Sequence, residues 1–330
     1  MTTMRAALYR RTGGAREVLE VIEVGRPEPG RGEVRVRIAV SAVNPTDVKN
    51  RAGLSTRVIE AFQVPHMDGS GVIDAVGDGV DAARIGERVW LMLAAHHNRY
   101  GTAAEHSVVP AENAVALPDG VPLDLAGTLG VPAVTAAHCL LADGPIAGLD
   151  VLVAGGAGGV GRCAVQLARW AGARVATTVS GPEKAAVATS AGAHLVVNYR
   201  DPDVVEQLRA WTGGVSRVVE VSLGKNIALD LAVAAQDAVI VSYATDGGDV
   251  LVSARDSLFA SITYRYMLLY NLGATARADA IARVNAALRD GALDLPPVQR
   301  FPLERIAQAH EAQEAGPFGR ILVDVADLPV

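Results

Sequence analysis

Gly156, Gly158 and Gly161, in "DVLVAGGAGGVGRCAVQLARWAGA" (150–173), have the G-x-G-x-x-G spacing, with Gly155 and Gly159 in addition. The chemistry this spacing serves is the holding of a pyrophosphate. It needs a tight turn, a backbone bare enough to approach phosphate, and a helix packed closely on a strand. The apolar run 151–154 precedes the glycines and a helical stretch follows, which is the context the motif requires. Gly156, Ala157, Gly158, Gly159, Val160 and Gly161 are therefore the expected cradle. The helix opening would turn its free N–H groups and partial positive charge toward the phosphates.

The end of the next strand selects the dinucleotide. An NAD site places Asp or Glu there, about 20 residues past the first glycine, to hold the ribose hydroxyls. Here the segment reads "TTVSGPEK" (177–184), with no acid before Glu183. Thr178 and Ser180 offer hydrogen bonds, and Lys184 offers a charge to a 2′-phosphate. Lys184 is also one of only three lysines among 30 basic residues. Its alternative role is a solvated cation in the first turn of a helix, a place where cations are slightly disfavoured. The expected cofactor is NADPH.

The elements that must position these residues form two patterns. Up to about residue 124 the chain reads as strands and turns, such as the alternating "EVRVRIAVSAV" (33–43), "GVIDAVGDGV" (71–80) and "GERVWLML" (86–93). From 150 onward, short Val/Ile/Leu runs alternate with helical stretches, the grammar of a parallel sheet covered on both faces. "RADAIARVNAALRDG" (277–291) and "FPLERIAQAHEAQEAG" (301–316) read as helices, the second with Pro302 near its start. "GRILVDV" (319–325) reads as a strand that rejoins the first domain. The fold class is α/β: a β-rich domain plus a doubly wound domain.

Composition excludes several function classes. A formal charge of −6 argues against nucleic acid as partner. No apolar run approaches the roughly 20 residues needed to span a bilayer, and "MTTMRAALYRRTGG" has no secretory apolar core, so a cytoplasmic location is expected. Two cysteines, Cys139 and Cys163, cannot build a disulfide framework or a Cys-x2-Cys zinc site.

Taken in order, "MRAALYRRTGGAREVLEV", "NPTD" (44–47), "DGSGVIDAVGDGV" (68–80), the glycine turn, "GAHLVVNYR" and "GRILVDV" run through essentially the whole chain. Together they resemble the zinc-independent quinone oxidoreductase and zeta-crystallin branch of the medium-chain dehydrogenase/reductase superfamily. The resemblance implies a GroES-like catalytic domain over 1–124 and 272–330, a Rossmann NADPH-binding domain over 125–271, and a homodimer. It places 2′-phosphate contacts on Lys184 and Tyr199, an active-site pair on Asn44 and Asp47, and Thr135 beside the cofactor. It brings Ser242 and the stretch to Tyr264 near the nicotinamide.

The zinc-dependent cousins carry a cysteine where Asn44 stands and a His-Glu pair where this chain has Met67-Asp68. His66 is one position off, and His96 and His97, read as strand neighbours, would point to opposite faces. No catalytic metal is expected. Departures from the branch are Lys49 and Ser55, where tyrosines are common, "QDA" (236–238) in place of a "GGR"-like turn, and Tyr243 in place of a glycine. A bulky Tyr243 near the nicotinamide ribose would alter the pocket.

The implied activity is metal-free hydride transfer from NADPH to a quinone or an α,β-unsaturated carbonyl, an activity of the EC 1.6.5.5 type. Hydrogen-bond donors must then stabilise the oxyanion. Asn44 and Lys49 are the candidates, and Lys49 reads equally as a solvated lysine. Asp47 is expected to cap a helix start. The completing proton comes from water or Tyr264. Two other readings stand beside this one: a non-catalytic, crystallin-like NADPH-binding protein, and an enoyl or alkenal reductase with a dedicated substrate.

Overall fold

The computed structural model describes residues 2–55, 58–245, 247–316 and 319–326. They divide into two compact units, Met1–Val131 with Leu295–Val330, and Pro132–Asp294.

The first unit begins with β1 (Thr3–Leu8), α1 (Ala15–Val18) and β2 (Glu20–Gly25), the two strands pairing antiparallel. Next come β3 (Glu33–Val43), α2 (Pro45–Ala52), β4 (Asp68–Val76) and β5 (Arg88–Leu91). β6 (His106–Pro110), β7 (Ala114–Ala116), α3 (Leu123–Gly127) and α4 (Gly130–Leu141) follow, the last crossing into the second unit. β3 is long because "EVRVRIAVSAV" alternates at its start and becomes wholly buried toward its end.

The second unit alternates strand and helix. Its elements are β8 (Asp150–Val153), α5 (Gly159–Trp170), β9 (Arg174–Val179), α6 (Pro182–Ser190), β10 (Leu195–Asn198) and α7 (Val204–Trp211). They continue with β11 (Val215–Glu220), α8 (Leu223–Val233), β12 (Ala234–Ser242), α9 (Ala254–Phe259), β13 (Thr263–Tyr266) and α10 (Ala274–Arg289). The strands are parallel in the order β10-β9-β8-β11-β12-β13. That is the doubly wound order, whose ligand crevice lies at the carboxyl ends of the strands where the order reverses. Leu152, Ala176, Val197, Val218 and Ile240 form the core of this unit.

The chain then returns to the first unit through β14 (Val298–Pro302), α11 (Ile306–Glu314) and β15 (Arg320–Asp324). β15 pairs antiparallel with β3, as expected of "GRILVDV". Two expectations are corrected. Phe301 and Pro302 end a strand rather than start a helix, since proline is tolerated where a strand no longer needs an N–H. The return lies at residue 295 rather than 272, because α10 packs on α5 of the second unit.

The β3–β4 pair is the frame of the first unit, and Gly71 sits at its closest approach. A Cβ there would lie 2.0 Å from the Arg37 carbonyl oxygen. Gly71→Ala should therefore destabilise the protein by about 2–3 kcal/mol, seen as a lower urea midpoint. An unchanged midpoint would contradict this packing.

Candidate active site

In the first unit, sheet register brings three buried polar side chains together. Asn44 follows the last residue of β3, while Ala42 pairs with Asp68 on β4 and Val43 with Ile321 on β15. Asp68 and Arg320 thus flank Asn44 from the two neighbouring strands. The Asn44 Nδ2 donates to Asp68 Oδ2 at 2.7 Å, and the Asn44 Oδ1 accepts from Arg320 Nη1 at 2.9 Å. Asp68 Oδ1 accepts from the Val131 N–H at 2.8 Å, and Arg320 Nη2 lies 3.5 Å from Asp68 Oδ2. Burial pushes the Asp68 carboxyl up to about 6, opposed by Arg320, the Asn44 amide and the Val131 N–H.

Asn44 is also the residue before α2, with Pro45 opening the helix. Asp47 reaches back to accept the Asn44 N–H at 2.8 Å, so its geometry is that of a helix-start cap. Burial pushes its carboxyl up to about 8, against the hydrogen bonds from the Asn44 and Met67 backbones. Lys49 is exposed on the same helix, apart from the buried network.

A second buried chain touches the same carboxylate residue from behind. Thr102 Oγ1 donates to the Asp68 carbonyl at 2.6 Å, and Ser41 Oγ lies 2.7 Å from Thr102 Oγ1. His66 Nδ1 lies 2.7 Å from Ser41 Oγ, and His66 Nε2 lies 3.0 Å from His310 Nε2. The carbonyl can only accept, so the Thr102 hydroxyl hydrogen is committed to it and Ser41 must donate to Thr102. His66 then carries its proton on Nδ1 and accepts at Nε2 from His310. Both imidazoles are neutral: burial pushes His310 down to about 3 and His66 well below its ordinary value. His66 holds a left-handed backbone, φ 78°, to make these contacts. His96 and His97 are corrected: they lie in a turn, not a strand, with ring centroids 4.1 Å apart. Among the described residues no group of three or more His, Cys, Asp or Glu is arranged to hold a metal ion.

In the second unit, the glycine turn joins β8 to α5. Gly155 has φ 72°, and the N–H groups of Gly155 and Gly156 both donate to the Thr178 carbonyl, at 3.1 and 3.2 Å. A Cβ on Gly156 would lie 2.1 Å from Thr177 Oγ1, and one on Gly161 would lie 2.2 Å from the Gly155 carbonyl oxygen. Gly158 is exposed and precedes the first helical residue, Gly159. Ala157 in the turn and Val160 in the first turn of α5 are half-buried. The cradle is bare backbone at a helix start, which suits a pyrophosphate.

Thr178 departs from expectation: its hydroxyl is buried and accepts the Gly155 N–H at 3.2 Å, so it braces the turn. Ser180 is half-buried at the end of β9, and Lys184 is exposed in the first turn of α6. Tyr199, 45% exposed, follows β10. Arg200 was missed by the sequence reading. It donates from Nη1 to the Ser180 carbonyl at 3.0 Å, and its guanidinium stands 5.5 Å from the Tyr199 ring centre. Arginine is the chain's default surface cation, so residue type alone did not mark it.

The remaining expected contacts are distributed through this unit. Thr135 is buried on α4, and Ser242, at the end of β12, donates to the Ala244 carbonyl at 3.1 Å. Tyr264 on β13 shares a 2.8 Å hydrogen bond with Ser257. Burial pushes the pKa of the Tyr243 phenol up, and Cys139, Glu220 and Cys163 act in the same direction. Buried Glu220 accepts from the Ser222 N–H and from Asn226 at 2.9 Å, and faces buried Asp230. Burial raises both carboxyls, and the pair holds a proton on Asp230 well above the ordinary range. A cavity of about 640 Å³ lined by Arg209, Ile227, Leu231, Gln236 and Phe259 lies at the amino end of β12, away from the glycine turn.

Two family patterns match the chain: the alcohol dehydrogenase GroES-like domain over 30–119 and the zinc-binding dehydrogenase over 159–286. A quinone oxidoreductase from Lama guanicoe is 29% identical, covering 97% of this chain and 97% of its own length. A 2-haloacrylate reductase from a Burkholderia species is 31% identical, over 93% of this chain and 94% of its own. A mycobacterial protein solved in complex with NADPH superposes with a TM-score of 0.83 at 28% identity, covering 97% of this chain and 99% of that one.

The Glu220–Asp230 pair sets a pH dependence. A carboxyl raised in the folded state contributes stability below its unfolded value, near 4, and loses it as pH rises toward the folded value. Asp230→Asn keeps the shape without the ionisation. It should match the wild type near pH 4 and become the more stable protein by roughly 1–3 kcal/mol at pH 8. Thermal unfolding across pH 4–9 measures this, and a pH-independent difference would contradict it.

Proposed function

Because the chain belongs to the quinone oxidoreductase branch of the medium-chain dehydrogenase/reductase superfamily, we propose that it is an NADPH-dependent, metal-free reductase of quinones or α,β-unsaturated carbonyls. The observation that carries the cofactor is the end of β9. No carboxylate stands there, and Lys184 and Arg200 are close in chain or contact to Ser180. The Cβ-free contacts at Gly156 and Gly161 fit the pyrophosphate, and Tyr199 presents an exposed ring beside Arg200. The 2-haloacrylate named for one relative is itself a conjugated alkene acid, the same class of acceptor.

When bound, NADPH supplies a hydride. Addition of that hydride to the β-carbon of an enone, or to a quinone, sends an electron pair to the carbonyl oxygen. The Asn44 amide is the donor that steadies this oxyanion, and the completing proton comes from water. Tyr264, engaged with Ser257, and exposed Lys49 are secondary candidates. A zinc ion has no place in this reading. Both His66 ring nitrogens are engaged, the Asp68 oxygens accept from Asn44 and Val131, and Asn44 supplies an amide.

The proposal includes a homodimer. β13 is an edge strand whose Tyr266 is exposed, as are Leu258 and Phe259 on the preceding α9.

NADPH oxidation against a panel of quinones, enals and enones tests the activity, and tight binding with no turnover on any of them would refute it. For the cofactor, Lys184→Ala and Arg200→Ala should each weaken NADPH about tenfold, or about 1.4 kcal/mol, and leave NADH unchanged. Equal wild-type affinities, unmoved by either substitution, would overturn the phosphate assignment.

A further inference from the structure

Asn44 has a polar setting more demanding than a helix start requires. Its amide oxygen accepts from a guanidinium, which can only donate, and its amide nitrogen donates to a carboxylate, which can only accept. The two partners therefore dictate which way the amide faces. Of its two N–H groups, Asp68 takes one.

We propose that Arg320 is a positioning residue, holding the Asn44 amide so that its second N–H is the one presented to the substrate's carbonyl oxygen. This rests on the reading of Asn44 as the oxyanion donor. Arg320 acts in two ways. It donates directly to Asn44 Oδ1, and its charge, 3.5 Å from Asp68 Oδ2, keeps that carboxyl an acceptor. If Asp68 took up a proton it would also become a donor, and the carboxyl side would no longer dictate which way the amide faces. The guanidinium is 5% exposed and costly to bury, yet its Nε has no hydrogen-bond partner. Anchoring β15 to β3 does not need such a charge, since backbone pairing already does so.

The charged and titratable groups that act on Asp68 are Arg320 from β15 and Asp47 from α2, while the His66 ring is turned to Ser41 and His310. His310 of α11 and Arg51 of α2 lie beyond His66. The histidines are neutral over the working range, so burial raises the Asp68 carboxyl and Arg320 is the positive charge that opposes it.

The test compares wild type, Arg320→Met, Arg320→Lys and Asn44→Ala, with NADPH and either 1,4-naphthoquinone or trans-2-hexenal. Arg320→Met should lower kcat about 10- to 100-fold with the KM for NADPH within about twofold. The acid limb of its kcat profile should move up by about one pH unit, because Asp68 loses its counter-charge. Arg320→Lys, which keeps the charge and one donor, should restore part of kcat and return the limb toward the wild-type position. In the 15N-labelled protein, the Asn44 side-chain amide, assigned by its loss in Asn44→Ala, should show two hydrogens of different exchange rate, the one bound to Asp68 being the slower. In Arg320→Met both should exchange rapidly.

An unmoved acid limb and unchanged amide exchange in Arg320→Met would overturn the proposal, even if kcat fell for structural reasons. Full turnover by Asn44→Ala would instead refute the donor reading, and with it the presentation of the second N–H. The exchange measurement needs no turnover, so it decides the fixing of the amide even if neither acceptor is reduced.

Discussion

A carboxylate and a guanidinium removed from water must meet each other or another compensating partner, because a lone buried charge costs several kcal/mol. In the first unit this constraint fixes the arrangement at the end of β3. The strand is paired on one side by β4, carrying Asp68, and on the other by β15, carrying Arg320. The Asn44 amide lies between them and hydrogen-bonds to each. Slipping either strand by one residue would turn its charged side chain to the other face and leave the opposite charge unanswered. The orientation of Asn44, the entry to α2 and the contact with Val131 at the start of α4 all follow from that one register.

The second unit meets a different constraint, the absence of side-chain volume. Gly156 sits against Thr177 and Gly161 against the Gly155 carbonyl, so the first turn of α5 packs onto the strand ends with its backbone uncovered. The Thr177 and Thr178 hydroxyls are drawn into this packing, one donating to Val153 and the other accepting from Gly155. What is left at the end of β9 is a carbonyl with an arginine bound to it, beside a lysine and an aromatic ring. The two units thus rely on opposite means: charges paired in a dry interior in one, and bare amide groups at a helix start in the other.

These means differ in how far they can be read from sequence. The glycine turn was legible because every contact that demands glycine lies within about 22 residues of chain, and the flanking strand and helix declare themselves by periodicity. "NPTD" was legible as a helix start for the same reason. Arg320 and His310 were not, since their partners Asn44 and His66 lie 276 and 244 residues away, and strand register brings the first pair together and the packing of α11 the second. Thr178 was assigned to the ligand because a hydroxyl at that position can face either way, and backbone geometry decided for the turn. Strand periodicity fails for His96 and His97, because in a turn adjacent side chains can lie on one side, here with their rings tilted against each other. The return to the first unit was placed too early because α10, an amphipathic helix, gives no local sign of which core its apolar face covers.

The wide separation of Asn44 and Arg320 has a consequence for biosynthesis. A ribosome releases Asn44 and Asp68 long before it has made the cation that answers them. During that interval β3 has an open edge on the β15 side, and Asp68 has every reason to stay hydrated or protonated. The nascent first unit should therefore remain loose while the second unit, whose strands are contiguous in the chain, folds alone. Arrival of β15 would then act as the closing stitch of the first unit.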